Sequence, residues 1–390
     1  MIREIDSYLE AAEGAAATFA KYRSKTEAGR SLHPESARAL RESGLSRLLA
    51  PKEFGGHEAP LRAQVMTCAD TALACPATSW VQMVCGAHSF VLGSFSPACQ
   101  REVFEGNPGA LIAGTLSSQG AGRPSEGGWR ISGRWQFCSG VDHSDWLLIG
   151  AKQANGEDRG PKNIHFVIPT QQARVEDTWF TLGMRGTGSK DIVLEDVFVP
   201  EHRVMPTGDL FAGLSPWAAE HESGLYMHPV LPALATQLAG CALGMAREMF
   251  ALFVERNRVR IDAYDGSSKA KKTSLQRRIA EASAEISVAE AMILRNCDHF
   301  DSLNEARSPA NIEERAQLRW QACYAVEACR RAAERLFAGA GAHAAYDDSP
   351  IQACYRDIAT VSKHAAVDFD SAAEVIGRLA LGLDAGSFLL

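Results

Sequence analysis

The sequence predicts an α+β fold in which a helical segment, a β domain and a four-helix bundle follow one another along the chain. Apolar residues recur every three or four positions before residue 105 and after Pro232, the period of a helix, but every second position from about 110 to 205, the period of a strand. The 390 residues, 46% of them hydrophobic, are enough for several packed layers. We therefore predict three domains, at 1–108, 109–210 and 211–390.

The N-terminal segment has helical signals. In "PESARALRESGLSRLLAP" a proline stands where a helix can begin, at Pro34, and apolar side chains follow at positions that share one helical face. Those apolar residues are Ala37, Leu40, Leu45, Leu48 and Leu49. The segment from Ile2 to Glu105 is therefore predicted to be α-helical.

The middle segment has strand signals. Short alternating runs are separated by Gly, Pro, Asn and Asp: "GWRISGRWQFCSG", "DWLLIGA", "NIHFVIP" and "DIVLEDVFVP". They predict about six strands in one compact β domain.

The C-terminal segment returns to helical periodicity in four long runs rich in Ala and in Glu/Arg pairs, near 233–258, 275–303, 311–338 and 357–382. Four helices of this length make a bundle. Segregated helical and β layers leave a large cleft where the sheet meets the bundle, and we expect the chemistry there.

Composition excludes several classes of partner. The formal net charge of −7 gives no basic field for nucleic acid, and no run of about eighteen apolar residues predicts a membrane span. The ten cysteines include no C-x-x-C pair, so we expect reduced thiols in a cytoplasmic protein.

Several catalytic motifs are missing from the sequence. It contains no G-x-x-x-x-G-K-[ST], no G-x-S-x-G and no H-x-x-x-H, which argues against a nucleotide-binding P-loop, a serine hydrolase and a metal site. The run "GAGAHA" (339–344) follows a helix instead of a strand, so it does not predict a dinucleotide-binding fold.

Three polar residues stand at positions where the surrounding pattern does not call for a functional side chain. They are His88 in "SWVQMVCGAHSFVLG", Ser139 in "FCSG" and His364 in "CYRDIATVSKHAAVDFD". A lone histidine on an apolar helix is more often a hydrogen-bonded core residue than a catalytic one. The "FCSG" run is equally consistent with a plain turn. We expect His364 in the second turn of a buried helix that begins near Cys354. From the residues alone, the prediction is an α+β protein with a central cleft.

Five segments, taken in order, resemble the acyl-CoA dehydrogenase fold: "LLAPKEFGG" (48–56), "WRISGRWQFCSGVDHSDWLLIGA" (129–151), "WFTLGMRGTGSKDIVLEDVFVP" (179–200), "LFAGAGAHAAY" (336–346) and "YRDIATVSKH" (355–364). That fold has an N-terminal helical domain, a central β-barrel-like domain and a C-terminal four-helix bundle. The resemblance is closer to one branch, the oxygenase components of two-component (group D) flavin-dependent monooxygenases.

The residues after "RD" distinguish this branch from the dehydrogenases. In the dehydrogenases that this chain resembles, a glutamate after "RD" is the catalytic base. At the corresponding positions this chain has Lys363, His364, Ala365 and Ala366. The resemblance implies hydroxylation of an aromatic substrate (phenol, indole or polyketide-like) through a C4a-hydroperoxyflavin. It implies that His364 lies beside the substrate; we predict that His364 accepts a proton and that His88 orients substrate or peroxide.

The resemblance also implies a flavin site. Ser139 would bond the ring near N5, with Gly140 beside it, and the "RGTGS" turn would support the ring through Arg185, Thr187, Gly188 and Ser189. At the phosphate end it places Arg258 or Arg260 and the "FAGAG" turn. From that turn we predict contacts by Phe337, Gly339 and Gly341.

The predicted substrate pocket combines the two histidines with residues of "HESGLYMHPV" and nearby: Trp217, Tyr226 and Met227. These aromatic and methionine side chains suit a flat aromatic guest or an ordinary core equally well. We expect reduced FMN or FAD from a separate NAD(P)H:flavin reductase, O2 as cosubstrate, and a homotetramer.

Three alternatives stay open at this point. The first is an acyl-CoA dehydrogenase or oxidase with a displaced base, and the second is an N- or S-oxygenase of the same fold. The third is a catalytically silent flavin carrier or assembly subunit, against which the presence of Ser139, His88 and His364 argues.

Overall fold

The computed structural model describes residues 2–154 and 163–386. Its N-terminal part is helical, and prolines at the first position begin three of the helices, because a proline there loses no hydrogen bond. The helices are α1 (Ile2–Gly29), α2 (Pro34–Glu42), α3 (Leu61–Ala74), α4 (Pro76–Leu92) and α5 (Pro97–Phe104). Helix α4 is buried along its whole length, so it lies between the other layers.

The central part forms a single sheet of seven strands within the described residues, in the order β5-β6-β2-β1-β3-β4-β7. The strands are β1 (Ile112–Ser125), β2 (Gly128–Cys138), β3 (Trp146–Gln153), β4 (Asn163–Pro169), β5 (Arg174–Glu176), β6 (Lys190–Pro200) and β7 (Val204–Pro206). About six strands were predicted; the three-residue edge strands β5 and β7 are too short to show alternation.

A bulge at the end of β2 sets the direction of the residues that follow. The pairing of β2 with β6 shifts register between Trp135 and Cys138, and Phe137 in this bulge has a left-handed backbone with φ of 68°. A bulge bends its strand and re-aims the neighbouring side chains. Ser139 therefore leaves the sheet toward α4 instead of continuing the strand.

The C-terminal part is helical again. It consists of α6 (Thr207–Ala212), α7 (Val230–Val259), α8 (Thr273–Ala306), α9 (Ile312–Ala340), α10 (Pro350–Val361) and α11 (Phe369–Ala380). A capping box begins α9, where Asn311 and Glu314 bond each other's backbone. Among the described helices only α7 is long and apolar enough for a membrane span, and 67% of its most apolar window is buried inside the protein.

Small residues of α7 pack against α3 within the chain. A methyl group on Gly240 would lie 2.6 Å from the Val65 carbonyl oxygen, and one on Gly244 would lie 2.1 Å from that of Ala69. The two helix backbones can approach this closely only because glycine has no side chain. The small residues of α7 thus join the N-terminal helices to the bundle.

The prediction of a fourth long helix over 357–382 is wrong. Helix α10 ends at Val361, a short 3₁₀ turn covers Ala365–Val367, and α11 begins at Phe369. The interruption follows from polar side chains that compete for backbone groups: Ser362 Oγ donates to the Ala359 carbonyl, and Asp368 accepts from the Ser371 amide to cap α11. His364 lies in this interruption instead of in a helical turn.

Candidate active site

Trp80 connects two of the three predicted catalytic residues. Its indole Nε1 donates a hydrogen bond of 3.0 Å to Ser139 Oγ, and its ring meets the His364 ring edge to face at 5.7 Å between centroids. Trp80 belongs to α4, Ser139 follows β2, and His364 lies between α10 and α11. The three parts of the chain therefore meet at this indole.

One face of α4 carries both Trp80 and His88. Trp80, Val84 and His88 are four residues apart and so lie on the same face of the helix. All three side chains are buried and keep 7%, 9% and 5% of their surface exposed. Eight residues place His88 about 12 Å along the helix from Trp80.

His88 has a fixed tautomer. Its Nδ1 lies 2.9 Å from the Ile112 carbonyl oxygen. A carbonyl can only accept, so Nδ1 carries the hydrogen and Nε2 presents a lone pair. Burial lowers the pKa of His88 to about 4, so the ring is neutral at neutral pH. His88 is therefore a neutral hydrogen-bond acceptor at Nε2.

His364 has the opposite tautomer. The Ala366 amide donates to His364 Nδ1 at 3.1 Å, so Nδ1 holds a lone pair and the hydrogen is on Nε2. The side chain is half-buried, and desolvation lowers its pKa below the usual range, which keeps the ring neutral at neutral pH. His364 is therefore a neutral hydrogen-bond donor at Nε2.

A buried arginine supports the turn that carries His364. Arg319 of α9, 6% exposed, points Nε at the Ala366 carbonyl oxygen over 3.4 Å and donates to Ser371 Oγ at 2.8 Å. The backbone of Ala366 thus bonds Arg319 through its carbonyl and His364 through its amide. This arrangement holds the imidazole in one orientation.

The turn predicted to support a flavin meets Ser139 through hydroxyl groups. Ser139 Oγ lies 2.7 Å from Ser189 Oγ, which lies 2.7 Å from Thr187 Oγ1. The Gly140 amide donates to the Thr187 carbonyl at 2.8 Å, and Gly140 has a left-handed φ of 75° with Val81 packed against it. The structure therefore brings Ser139, Gly140, Thr187 and Ser189 together, and their contact with a flavin stays a prediction.

Asp357 anchors the same turn to α10. It accepts a hydrogen bond of 2.6 Å from the amide of Met184, a residue with a left-handed φ of 53°. Burial raises the pKa of Asp357 to about 6. Arg356 donates to the Leu182 carbonyl at 2.6 Å, so two adjacent residues of α10 hold the turn.

An exposed apolar surface lies next to these hydroxyl groups. Phe137, Phe180 and Leu182 expose 61%, 70% and 61% of their surface, and the half-buried Trp179 packs edge to face on Phe137. A groove of about 890 Å³ adjoins it, with Phe180 and Arg185 in its lining. A contiguous patch of large exposed apolar side chains is typical of a binding surface. A flat ring with one polar edge, such as a flavin, fits this surface and the nearby Ser139.

A second group of predicted residues meets at the end of α9. Arg260 donates to the Ala340 carbonyl at 2.8 Å, and a methyl group on Gly341 would lie 2.0 Å from its guanidinium. Phe337 stacks on Tyr355 with ring centroids 4.4 Å apart, and Gly339 packs on Phe253.

Of the three remaining predicted flavin residues, Arg185 and Arg258 are exposed and Gly188 is buried. Arg185 is exposed and its Nε donates to the Thr181 carbonyl at 2.9 Å, while Gly188 takes a left-handed φ of 55°. Arg258 is exposed, so of the two candidate arginines only Arg260 meets the 337–341 turn.

The predicted aromatic substrate contacts differ in burial. Tyr226 is fully buried; its hydroxyl donates to the Leu49 carbonyl at 3.1 Å and its ring lies against Gly93, so it is packed as a core residue. Trp217 and Met227 are half-buried. For these two, a substrate contact stays a prediction.

Sequence reasoning did not single out Trp80, Asp357 or Arg319. The four-residue spacing of Trp80, Val84 and His88 was a usable signal, since it places the indole on the face of His88. Asp357 stands in the quoted "RD" pair, but its partner is 173 residues away. Arg319 is one of many arginines in an amphipathic helix, and nothing nearby in the sequence marks it.

Known proteins match the whole length of this fold. Residues 236–369 match the family model "Acyl-CoA dehydrogenase, C-terminal domain". A pigment production hydroxylase from a Rhodococcus species is 32% identical over 374 residues, 95% of each chain. The oxygenase component of an FADH2-dependent resorcinol hydroxylase from a Rhizobium species is 30% identical over 95% of this chain and 93% of its own. The structure of XiaF from a Streptomyces species with FADH2 and glycerol superposes with a TM-score of 0.93 at 28% identity, over 99% of this chain and 98% of that one.

The fold is that of the acyl-CoA dehydrogenase superfamily. Within that superfamily the chain belongs to the oxygenase components of two-component flavin-dependent monooxygenases. Enzymes of this class use reduced flavin and O2. The predicted family and fold are thereby confirmed.

Proposed function

We propose that this enzyme hydroxylates a neutral phenolic substrate, with reduced flavin supplied by a separate NAD(P)H:flavin reductase. The observation that carries the proposal is the opposite hydrogen-bonding polarity of the two imidazoles: His88 accepts at Nε2 and His364 donates at Nε2. A phenolic hydroxyl is both a donor and an acceptor, so it can satisfy either ring. The resorcinol hydroxylase among the relatives acts on a phenol, as its name states.

His88 suits the hydroxyl hydrogen of the substrate. Its ring belongs to the α4 face that carries Trp80, and the Ile112 carbonyl holds the ring through Nδ1 and leaves the Nε2 lone pair unused by that bond. A hydrogen bond from the phenol to this nitrogen raises electron density in the aromatic ring, which favours attack by an electrophilic oxygen. Positioned proton acceptors of this kind contribute about 10²- to 10⁴-fold in rate.

His364 suits the role of hydrogen-bond donor to the substrate or to the transferred oxygen. The sequence predicts His364 as the proton acceptor and His88 as the orienting group, but the fixed tautomers support the reverse assignment. With hydrogen on Nε2, His364 can donate to the phenolic oxygen or to the oxygen being transferred. Because its neighbour Asp368 caps α11, no carboxylate of residues 361–368 is available as a dehydrogenase-type base.

The flavin ring would lie on the surface formed by Phe137, Trp179 and Phe180. Ser139 is the polar group between this surface and Trp80, so its Oγ would hold the polar N5 edge of the ring. The bound reduced flavin supplies the activation of O2. The surrounding buried side chains exclude water from that edge.

Two further proposals concern the whole protein. We infer a homotetramer built through the bundle and a cytoplasmic location. The latter is in keeping with ten buried cysteines, none in a disulfide.

The substrate proposal can be tested with matched pairs of compounds. Purified protein with reduced FMN or FAD and O2 is given phenols and their methyl ethers, which keep the ring but lose the hydroxyl hydrogen. We expect phenols to be hydroxylated at least about tenfold faster, and replacing His88 with Ala to abolish that preference. Equal rates for phenols and ethers would contradict the role of His88.

A further inference from the structure

Four side chains form one continuous line of hydrogen bonds next to the apolar surface. Trp80 Nε1 donates to Ser139 Oγ at 3.0 Å, and Ser139, Ser189 and Thr187 follow at 2.7 Å each. Thr187 Oγ1 ends the line by donating to the Met184 carbonyl at 2.9 Å. We call this line the hydroxyl chain.

The direction of every hydrogen in the hydroxyl chain follows from its two ends. A carbonyl only accepts, so Thr187 gives its single hydroxyl hydrogen to Met184 and must accept from Ser189. Ser189 has then used its hydrogen, so it must accept from Ser139. At the other end an indole N–H only donates, so Ser139 accepts from Trp80.

Ser139 is therefore left with one lone pair and no hydrogen to offer. Its neighbours in the chain are shielded from water: Thr187 is 1% exposed, Ser189 3% and Ser139 itself 6%. The backbone bond from the Gly140 amide to the Thr187 carbonyl holds the two segments together. Reversing Ser139 would leave buried hydroxyl groups without partners, which costs free energy.

A flavin changes its hydrogen-bonding character at N5 when it is reduced. Oxidised flavin has a lone pair at N5, and reduced flavin has an N–H there. Because Ser139 can only accept a hydrogen bond here, it can bond the N5–H of reduced flavin. It repels the N5 lone pair of oxidised flavin. Given the flavin placement of the proposed function, on which this inference rests, we propose that Ser189 and Thr187 are positioning residues that lock Ser139 as an acceptor, so that the site favours reduced over oxidised flavin.

The test compares the affinities of the two flavin oxidation states. The Kd of oxidised flavin is measured by fluorescence titration in air, and the Kd of reduced flavin by the same titration without oxygen. In Ser189→Ala the Ser139 hydrogen is released and can turn toward N5. We expect the ratio of the oxidised to the reduced Kd to fall by roughly tenfold, which lowers the two-electron potential of the bound flavin by about 30 mV.

Matched variants separate this effect from a general defect. Thr187→Val should lower the ratio of the oxidised to the reduced Kd as Ser189→Ala does. The hydroxyl chain then loses the end that is bonded to the Met184 carbonyl, so the hydrogens of Ser189 and Ser139 can reverse their direction. Thr187→Ser keeps the hydroxyl and should keep the ratio. Ser144→Ala removes a hydroxyl that is not part of the hydroxyl chain and that pairs with Thr170 at 2.9 Å. This variant should also keep the wild-type ratio.

The outcomes distinguish this inference from the proposed function. A structural defect weakens both oxidation states alike and leaves the ratio unchanged. If the wild type binds reduced flavin and the ratio stays at its wild-type value in Ser189→Ala and Thr187→Val, the inference is wrong while the proposed function stands. If the wild type binds neither oxidation state, the flavin placement itself is wrong.

Discussion

The indole nitrogen of Trp80 donates to Ser139 Oγ at 3.0 Å while the same ring meets His364 edge to face at 5.7 Å. One side chain of α4 thus touches both the group placed at the flavin and the group placed at the substrate. Trp80 is buried and fixes the spacing between Ser139 and His364.

Replacing Trp80 with Phe should uncouple oxygen consumption from hydroxylation. Phe keeps an aromatic ring but loses the N–H, so Ser139 gains a second free lone pair and water can enter. We expect the ratio of hydroxylated product to hydrogen peroxide to fall by roughly tenfold, the effect of about one hydrogen bond. Product is measured by chromatography and peroxide by a peroxidase assay.

Trp129→Phe is the matched control for that variant. Trp129 lies in the β domain, where it packs edge to face on Phe166 at 5.9 Å. Its replacement should leave the product-to-peroxide ratio unchanged. An unchanged ratio in Trp80→Phe as well would show that the indole N–H has no part in the reaction.

His88→Ala should slow hydroxylation without weakening flavin binding. The variant loses the Nε2 acceptor, which touches neither Ser139 nor the apolar surface in the structure. We expect a loss of about 10²- to 10⁴-fold in the rate of product formation and a wild-type Kd for reduced flavin. Single-turnover product analysis and anaerobic titration give the two quantities.

His299→Ala controls for loss of a histidine. His299 is partly exposed on the bundle, where it lies 3.5 Å from Glu314, and its replacement should change neither quantity. A near-normal hydroxylation rate in His88→Ala would refute the acceptor role.

Three buried histidines should make the protein unstable in acid. Burial lowers the pKa of His88 and of His165 to about 4 and that of His228 to about 3, against about 6.5 in the unfolded chain. The unfolded state binds more protons below pH 6.5, so their contribution is complete above that pH and is lost as the pH falls toward 4. Urea unfolding at a series of pH values measures the slope.

His228→Asn tests this assignment at a buried histidine that packs on Phe300 of the bundle. Each histidine contributes up to about 1.4 kcal/mol per pH unit to the slope of the unfolding free energy. The variant should therefore show a shallower slope between about pH 6 and pH 4.5. The same slope as the wild type would mean that His228 is already protonated in the folded state.

Asp357 should act as an anchor for the flavin-supporting turn. Asp357→Ala leaves the Met184 amide without its acceptor, so we expect weaker flavin binding, by about tenfold. Asp357→Asn keeps an oxygen for that amide and should bind flavin nearly as the wild type does. Flavin titration of both variants distinguishes the anchor from a general loss of stability, which circular dichroism melting reports separately.

The charge of Asp357 has its own pH dependence. Its pKa is raised to about 6, so the carboxylate is unfavourable in the folded state above that pH, and protonation stabilises the fold as the pH falls from 6 toward 4. This sign is opposite to that of the histidines. Asp357→Asn should therefore steepen the loss of stability in acid.

The order of the layers was predictable because each depends on a local period. The helical and strand periods can be read from neighbouring residues alone. Helices α7, α8 and α9 begin and end within a few residues of their predicted bounds. The break at His364 was not predictable from the period, because it depends on side-chain bonds from Ser362 and Asp368 to the backbone.

The candidate site was predictable only in part, for a related reason. Ser139 and the two histidines stood out as polar residues in apolar runs. Their roles depend on partners distant in sequence: Ile112 for His88, and the Thr187–Ser189 hydroxyls for Ser139. These contacts determine which atom of each side chain carries the hydrogen. The partners meet only in the folded protein, so neighbouring residues in the sequence do not reveal them.

The most direct test of the central claim follows the oxygen atom. The protein is mixed with reduced FMN or FAD and a panel of phenols under heavy-isotope dioxygen, and products are analysed by mass spectrometry. We expect a hydroxylated phenol that carries one heavy oxygen atom, formed without any acyl-CoA. Absence of heavy oxygen from every product, together with bleaching of oxidised flavin by an acyl-CoA thioester, would contradict the monooxygenase assignment and indicate a dehydrogenase.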